Sequence, residues 1–161
     1  MWITRWAAAT LLLLTWISPA QGPSGSTQKI SIRLVDVSSG RAYANETIQV
    51  QFHIPQVAEL QTLEGKTAID GGAEFHLPET ISSKIAVIAT NERLYPCYRS
   101  FPIDTRTVIR DGLVSRCAKP TEGCRCKFSA QVSNIQSKPG ELVLFARPLT
   151  RWERFLGHIW E

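Results

Sequence analysis

The chain is 161 residues long, 43% hydrophobic and 20% charged, with 18 basic and 14 acidic side chains. This length suits one domain with a sizeable core, and the composition excludes a disordered or collagen-like chain. The net charge of +4 comes without a basic run or an aromatic ladder interleaved with one, which excludes a nucleic-acid footprint.

Residues 1–20, MWITRWAAATLLLLTWISPA, hold one charge, Arg5, then an apolar run from Trp6 to Ile17 and small residues at Ser18 and Ala20. These are the three parts of a secretory signal peptide, with cleavage expected between Ala20 and Gln21. The run is too short for a spanning helix, which needs about twenty apolar residues. No cysteine stands at the cleavage point, so a lipid anchor is not expected. The protein is expected to be exported, periplasmic or secreted. Arg5, Trp2, Trp6 and Trp16 leave with the signal, so the remaining tryptophans, Trp152 and Trp160, both lie in the tail. Residues 21–28, QGPSGSTQ, read as a flexible leader of small and polar residues.

From residue 29 onward a period of two sets in, the signature of half-buried strands. In KISIRLVDV, Ile30, Ile32 and Leu34 alternate with Ser31 and Arg33, and SSGR follows as a turn. TIQVQFHI sets Ile48, Val50, Phe52 and Ile54 on one face against Gln49, Gln51 and His53 on the other. GKTAIDGGAEFHLPE reads as strand, Asp70–Gly71 turn, then strand, with Ala73, Phe75 and Leu77 inward and Glu74 and His76 outward. KIAVIAT is apolar on both faces and reads as a central strand. RTVIRDGLVSR reads as a short helix or turn leading into a strand. Two more strands are expected at KFSAQVSNI and at ELVLFAR, the latter set off by Pro139–Gly140. The sum is an all-β fold over residues 29–147: an antiparallel, immunoglobulin-like β-sandwich of seven or eight short strands, Val87 and Leu144 belonging to its core.

An even set of cysteines in an exported chain, Cys97, Cys117, Cys124 and Cys126, reads as a disulfide framework. A zinc site would prefer CxxC knuckles or partner histidines. CAKPTEGCRC has neither, and His53, His76 and His158 are far away in sequence. A redox-active pair would want CxxC at a helix start, which CRC lacks. Neither a metal nor a cofactor is expected. Cys124 and Cys126 are too close in sequence to pair without strain. They are expected to bridge toward Cys97 and Cys117, in an order the sequence leaves open.

The tail, residues 148–161, reads as a short amphipathic helix. Thr150 and Glu153 have capping-box spacing. Trp152, Phe155, Leu156, Ile159 and Trp160 recur at helical spacing and make one apolar stripe, with Arg151, Arg154 and His158 largely off it. So short a helix persists only if its stripe is covered. The sheet of its own domain, a protein partner or a membrane surface would each serve.

The chain contains no HExxH, GxSxG, P-loop or GxGxxG pattern. His53 and His76 read as solvated strand positions, and Asp104 and Asp111, flanking a basic stretch, as caps or turn residues. Asn45–Thr47 is a formal glycosylation acceptor, silent in a bacterium.

LVDVSSGRAYANETIQVQF resembles the opening of the carboxypeptidase regulatory-like domains, which are similar in fold to transthyretin (prealbumin). GKTAIDGGAEFHLPE resembles their next element, matching at Thr67, Asp70, Gly72, Phe75, Leu77 and Pro78. The resemblance covers about Lys29 to Ala89. The end of the chain, PGELVLFARPLTRWERFLGHIWE, resembles the tail of small exported bacterial proteins that carry such a domain. It implies a seven-stranded prealbumin-like sandwich. The zinc ligands of those carboxypeptidases belong to a separate catalytic domain, so none carries over. The expected function is therefore non-catalytic: an exported module for binding or for supporting the envelope. Because related sandwiches also serve as sugar-binding modules, an alternative is carbohydrate recognition by Tyr95, Tyr98 and Phe101 in RLYPCYRSF. A further alternative is an enzyme with an unrecognised site.

Overall fold

The computed structural model describes residues 27–55, 57–81, 83–100, 102–117 and 126–157. The expected signal peptide with its Ala20–Gln21 cleavage point, Phe101, Cys124, Ile159 and Trp160 lie outside these residues, as does the side chain of Leu156.

Alternation along the strands builds two sheets around one core. In the first, β1 (Thr27–Asp36) lies between β4 (Gly72–Pro78) and β9 (Glu141–Pro148). The far edge of β9 carries β6 (Leu94–Pro96) and β8 (Leu113–Ser115). The second sheet has the order β3 (Gln61–Lys66), β2 (Thr47–Phe52), β5 (Lys84–Ala89), β7 (Ile103–Asp104). Three short helices complete the described chain: α1 (Thr105–Asp111), α2 (Ala130–Ser133) and α3 (Arg151–Gly157). Ile30, Ile32 and Leu34 meet Ile48, Val50 and Phe52 between the sheets, together with Phe75, Leu77, Val87 and Leu144, all buried, with Ile54 partly buried against them.

Local chemistry shapes the turns as its residues require. Gly71 adopts φ 76°, and Asp70 Oδ1 accepts the Gly72 amide at 2.9 Å. This turn presses so closely on β1 that a Cβ on Gly71 would lie 2.7 Å from the Leu34 carbonyl oxygen. Asp104 caps α1, accepting the Arg106 amide at 3.0 Å. The sequence LVDVSSGR forms a denser knot than a simple turn. Asp36 Oδ1 accepts from the amides and hydroxyls of Ser38 and Ser39, and Oδ2 from the Tyr43 hydroxyl at 2.6 Å. Burial alone would raise the Asp36 pKa, but these hydrogen bonds outweigh it and hold the carboxyl far below its usual range. Burial first, then the bond to Asp36, raises the Tyr43 hydroxyl well above its ordinary value.

The structure departs from the expected sandwich in four respects. The described residues form nine strands, because β6 and β7 are too short for a period of two to register, while the helix and strand expected at RTVIRDGLVSR are α1 and β8. The first sheet is mixed: β9 runs parallel to both β1 and β8. Parallel neighbours need a crossover of a dozen or more residues, and residues 116–140 supply it between β8 and β9. KFSAQVSNI is not a strand: Ser129 caps α2, its hydroxyl accepting the Val132 amide, so the cap prevails over alternation. The segment KIAVIAT buries Ile85 and Val87 but leaves Ile88 37% exposed, because the outer face of its sheet is uncovered.

The strand covered on both faces is β9. Its Leu142, Leu144 and Ala146 face the main core, while Val143 and Phe145 face a second cluster with Val35, Val37, Cys97 and Val132. A flap from Cys126 to Ile135 roofs that cluster. Phe128 meets Phe145 edge to face with ring centroids 5.4 Å apart. Arg116 lies over both rings, 5.7 and 5.3 Å from their centroids, and donates to the Val132 and Ser133 carbonyls.

Candidate functional site

A disulfide joins Cys97, at the end of β6, to Cys126, at the start of the flap. Cys117 is disulfide-bonded as well. Cysteines and aromatics therefore work together in the second core. Tyr98 is 7% exposed, its hydroxyl accepts the Ala89 amide at 2.8 Å, and its ring belongs to the main core. It presents no face to a sugar. Tyr95 is partly buried and one face of its ring is covered by the Arg147 guanidinium, 4.4 Å from the centroid. The alternative sugar platform is thus not formed by Tyr95 and Tyr98. His53 follows β2 in one sheet and His76 lies on β4 in the other, both exposed. Among the described residues no group of three or more His, Cys, Asp or Glu side chains could hold a metal ion.

The C-terminal helix is where the structure adds most. Register sets Tyr95 on β6 opposite Arg147 on β9, which holds Arg147 over the ring. From there its guanidinium grips Glu153 with two bonds, Nη1 to Oε2 at 2.8 Å and Nη2 to Oε1 at 2.5 Å. Both side chains are less than a fifth exposed, so this bidentate pair is better shielded than an ordinary surface ion pair. Glu153 also completes the capping box: its Oε2 accepts the Thr150 amide and hydroxyl, each at 2.9 Å, and its own amide donates to Thr150 Oγ1 at 3.2 Å. The Leu149 amide donates to the Arg93 carbonyl at 2.8 Å. The first turn of α3 is therefore locked onto the first sheet.

No family model, curated protein or solved structure matches the chain.

What the locked turn leaves outside includes two apolar rings. Trp152 is 66% and Phe155 57% exposed, and their rings stack on each other with centroids 5.8 Å apart. The domain's own sheet does not cover these two members of the stripe. Beside them lies an open, largely apolar groove of about 680 Å³ walled by Val37, Lys127, Arg147, Pro148, Leu149 and Glu153. A second cleft, about 540 Å³, is polar and lined by Arg33, Asp70, Lys138 and Glu141. There Arg33 is tied to Glu141 at 2.8 Å. No helix among the described residues is long and apolar enough to cross a membrane. Sequence spacing gave the capping box and, of the stripe, the described Trp152 and Phe155. The Arg147 clamp carried no sequence signal, because it depends on the pairing of β6 with β9.

The clamp has a pH signature. The Arg147 bonds, then those from Thr150, draw the Glu153 carboxyl down from 4.5 to about 2. A depressed carboxyl stabilises the folded form above its unfolded pKa, and that contribution fades as pH falls from about 4.5 through about 2. Glu153→Gln should loosen the helix by about 1–2 kcal/mol at neutral pH. Its difference from the parent, read by tryptophan fluorescence in a chain beginning at Gln21, should vanish toward pH 2. A difference independent of pH would show that the charge on Glu153 does not hold the helix.

Proposed function

We propose that this chain is an exported, non-catalytic β-sandwich that acts as an interaction module at the envelope, with α3 as its contact element. The observation that carries this reading is the pairing of a polar helix start locked to the sheet with an aromatic face left open to solvent. A helix this short, with two large uncovered rings, makes physical sense when another surface completes it. Export is supported by the apolar leader of residues 1–20 and by the Cys97–Cys126 disulfide. The resemblance of Lys29–Ala89 to carboxypeptidase regulatory-like domains supports a scaffold without chemistry of its own, although the parallel pairings of β9 depart from the antiparallel sandwich that resemblance implies.

Truncation after Leu149 tests the reading. It removes α3 but keeps every strand of both sheets and the Leu149–Arg93 bond. The thermal midpoint is expected to stay within about 3 °C, as for changes that touch no core residue, while envelope association in fractionated cells is lost. A large fall in the midpoint would make α3 part of the core. Envelope association that survives truncation would remove α3 from the contact.

A further inference from the structure

We propose that the surface completing α3 is an anionic lipid interface. This rests on the reading of α3 as the contact element and specifies what it meets. Three observations converge on lipid.

The first is the distribution of charge. Residues 151–157 contain one carboxylate, Glu153, and both its oxygens are occupied by Arg147 and Thr150 on the side facing the sheet. At about 100° per residue, Trp152 and Phe155 lie roughly 60° apart, Arg151 falls about 40° beyond Phe155, and Glu153 points away from the aromatic pair. Arg151 and Arg154 are both exposed. The open side of the helix therefore offers two rings and two cations with no anion between them. Lys127 adds a third cation in the adjoining groove. The nearby β5–β6 turn contributes one charge of each sign, Glu92 and Arg93.

The second is area. The two described rings bury at most about 500 Å² together, less than the ~800 Å² that each partner contributes to a stable protein interface. An interfacial helix needs less, because anionic headgroups add attraction at every basic residue. The third is residue type: an exposed tryptophan flanked by arginines suits the boundary between headgroups and acyl chains.

The test uses protein recovered from the periplasm, with vesicles of phosphatidylcholine alone or with one third phosphatidylglycerol. The tryptophans that follow the leader, Trp152 and Trp160, both lie in the tail, so a blue shift reports the tail alone and flotation confirms binding. Binding to the anionic vesicles is expected to be at least tenfold tighter than to the neutral ones and to weaken with salt. Arg151→Gln/Arg154→Gln should weaken it about 25-fold, at about fivefold per basic residue. Trp152→Ala/Phe155→Ala should abolish flotation with an unchanged thermal midpoint, Trp160 remaining as reporter. Absence of binding to anionic vesicles, or equal binding to both compositions, would overturn the proposal. If envelope association in cells still depended on α3, the contact reading would stand with a protein as its occupant. If both dependences failed, both readings would fall together.

Discussion

Replacing Phe145 by alanine is expected to lower stability by about 3–5 kcal/mol, a fall of roughly 10–20 °C in the thermal midpoint. Phe145 is fully buried on the outer side of β9, in the second core. Its ring meets Phe128 edge to face and lies under the Arg116 guanidinium. Truncation removes these contacts together and leaves a cavity that α2 and the flap cannot fill without moving. Phe145→Leu separates the causes, since it restores volume without the aromatic faces and should recover more than half the loss. A cost below about 1 kcal/mol for the alanine variant, read by urea unfolding, would mean that the flap is not packed against the sheet as described.

That second core also marks where the sequence becomes hard to read. The main core was legible: alternation gave Ile48, Val50, Phe52, Phe75 and Leu77 at buried positions, because one polar and one apolar face leave a period of two. The strand ELVLFAR is buried from Glu141 to Ala146, so it has no alternation to reveal its two environments. KIAVIAT has the more apolar sequence, yet it lies in the sheet whose outer face is open, and Ile88 is exposed. Apolar content did not distinguish the two, because what covers the second face of β9 is the Cys126–Ile135 flap, a tertiary contact that leaves no mark on the strand's own pattern. Alternation also misread KFSAQVSNI, where Ser129 caps a helical turn and Phe128, Val132 and Ile135 face the second core without strand spacing.

At the candidate site, the pattern Thr150-x-x-Glu153 announced a helix start, and the structure forms that box. The direction in which the stripe faces was beyond the sequence. It follows from Arg147, which receives Glu153 only because β6 presents Tyr95 beside it. Glu153 thus does two jobs at once, capping the helix and turning its back to the sheet, and the second places the rings outward. The aromatic cluster RLYPCYRSF offered the opposite lesson. In sequence Tyr95 and Tyr98 leave a sugar platform open only as the alternative to packing rings; one supports a cation and the other fills the core.

Removing the Cys97–Cys126 bridge is expected to cost about 3–4 kcal/mol, because it closes a separation of 29 residues and its loss frees that loop in the unfolded chain. Cys97 is fully buried at the end of β6, where its amide donates to the Phe145 carbonyl at 2.8 Å. Cys126 opens the flap that carries Phe128, α2 and Ile135 over the second core. The bridge therefore ties the flap to the sheet at the point where β9 is otherwise covered only by side chains. Cys97→Ala/Cys126→Ala isolates it, whereas chemical reduction would also open the bond at Cys117. Amide exchange should rise first between Cys126 and Ile135 and then in β9, while β1 and β4 stay protected until global unfolding. If the double variant lost less than about 1 kcal/mol and exchange over the flap were unchanged, packing alone would hold the flap and the cysteines would not be its staple. Four alkylatable thiols in protein taken from the periplasm would be a more direct refutation, since the bridge would then be absent where the chain is expected to work.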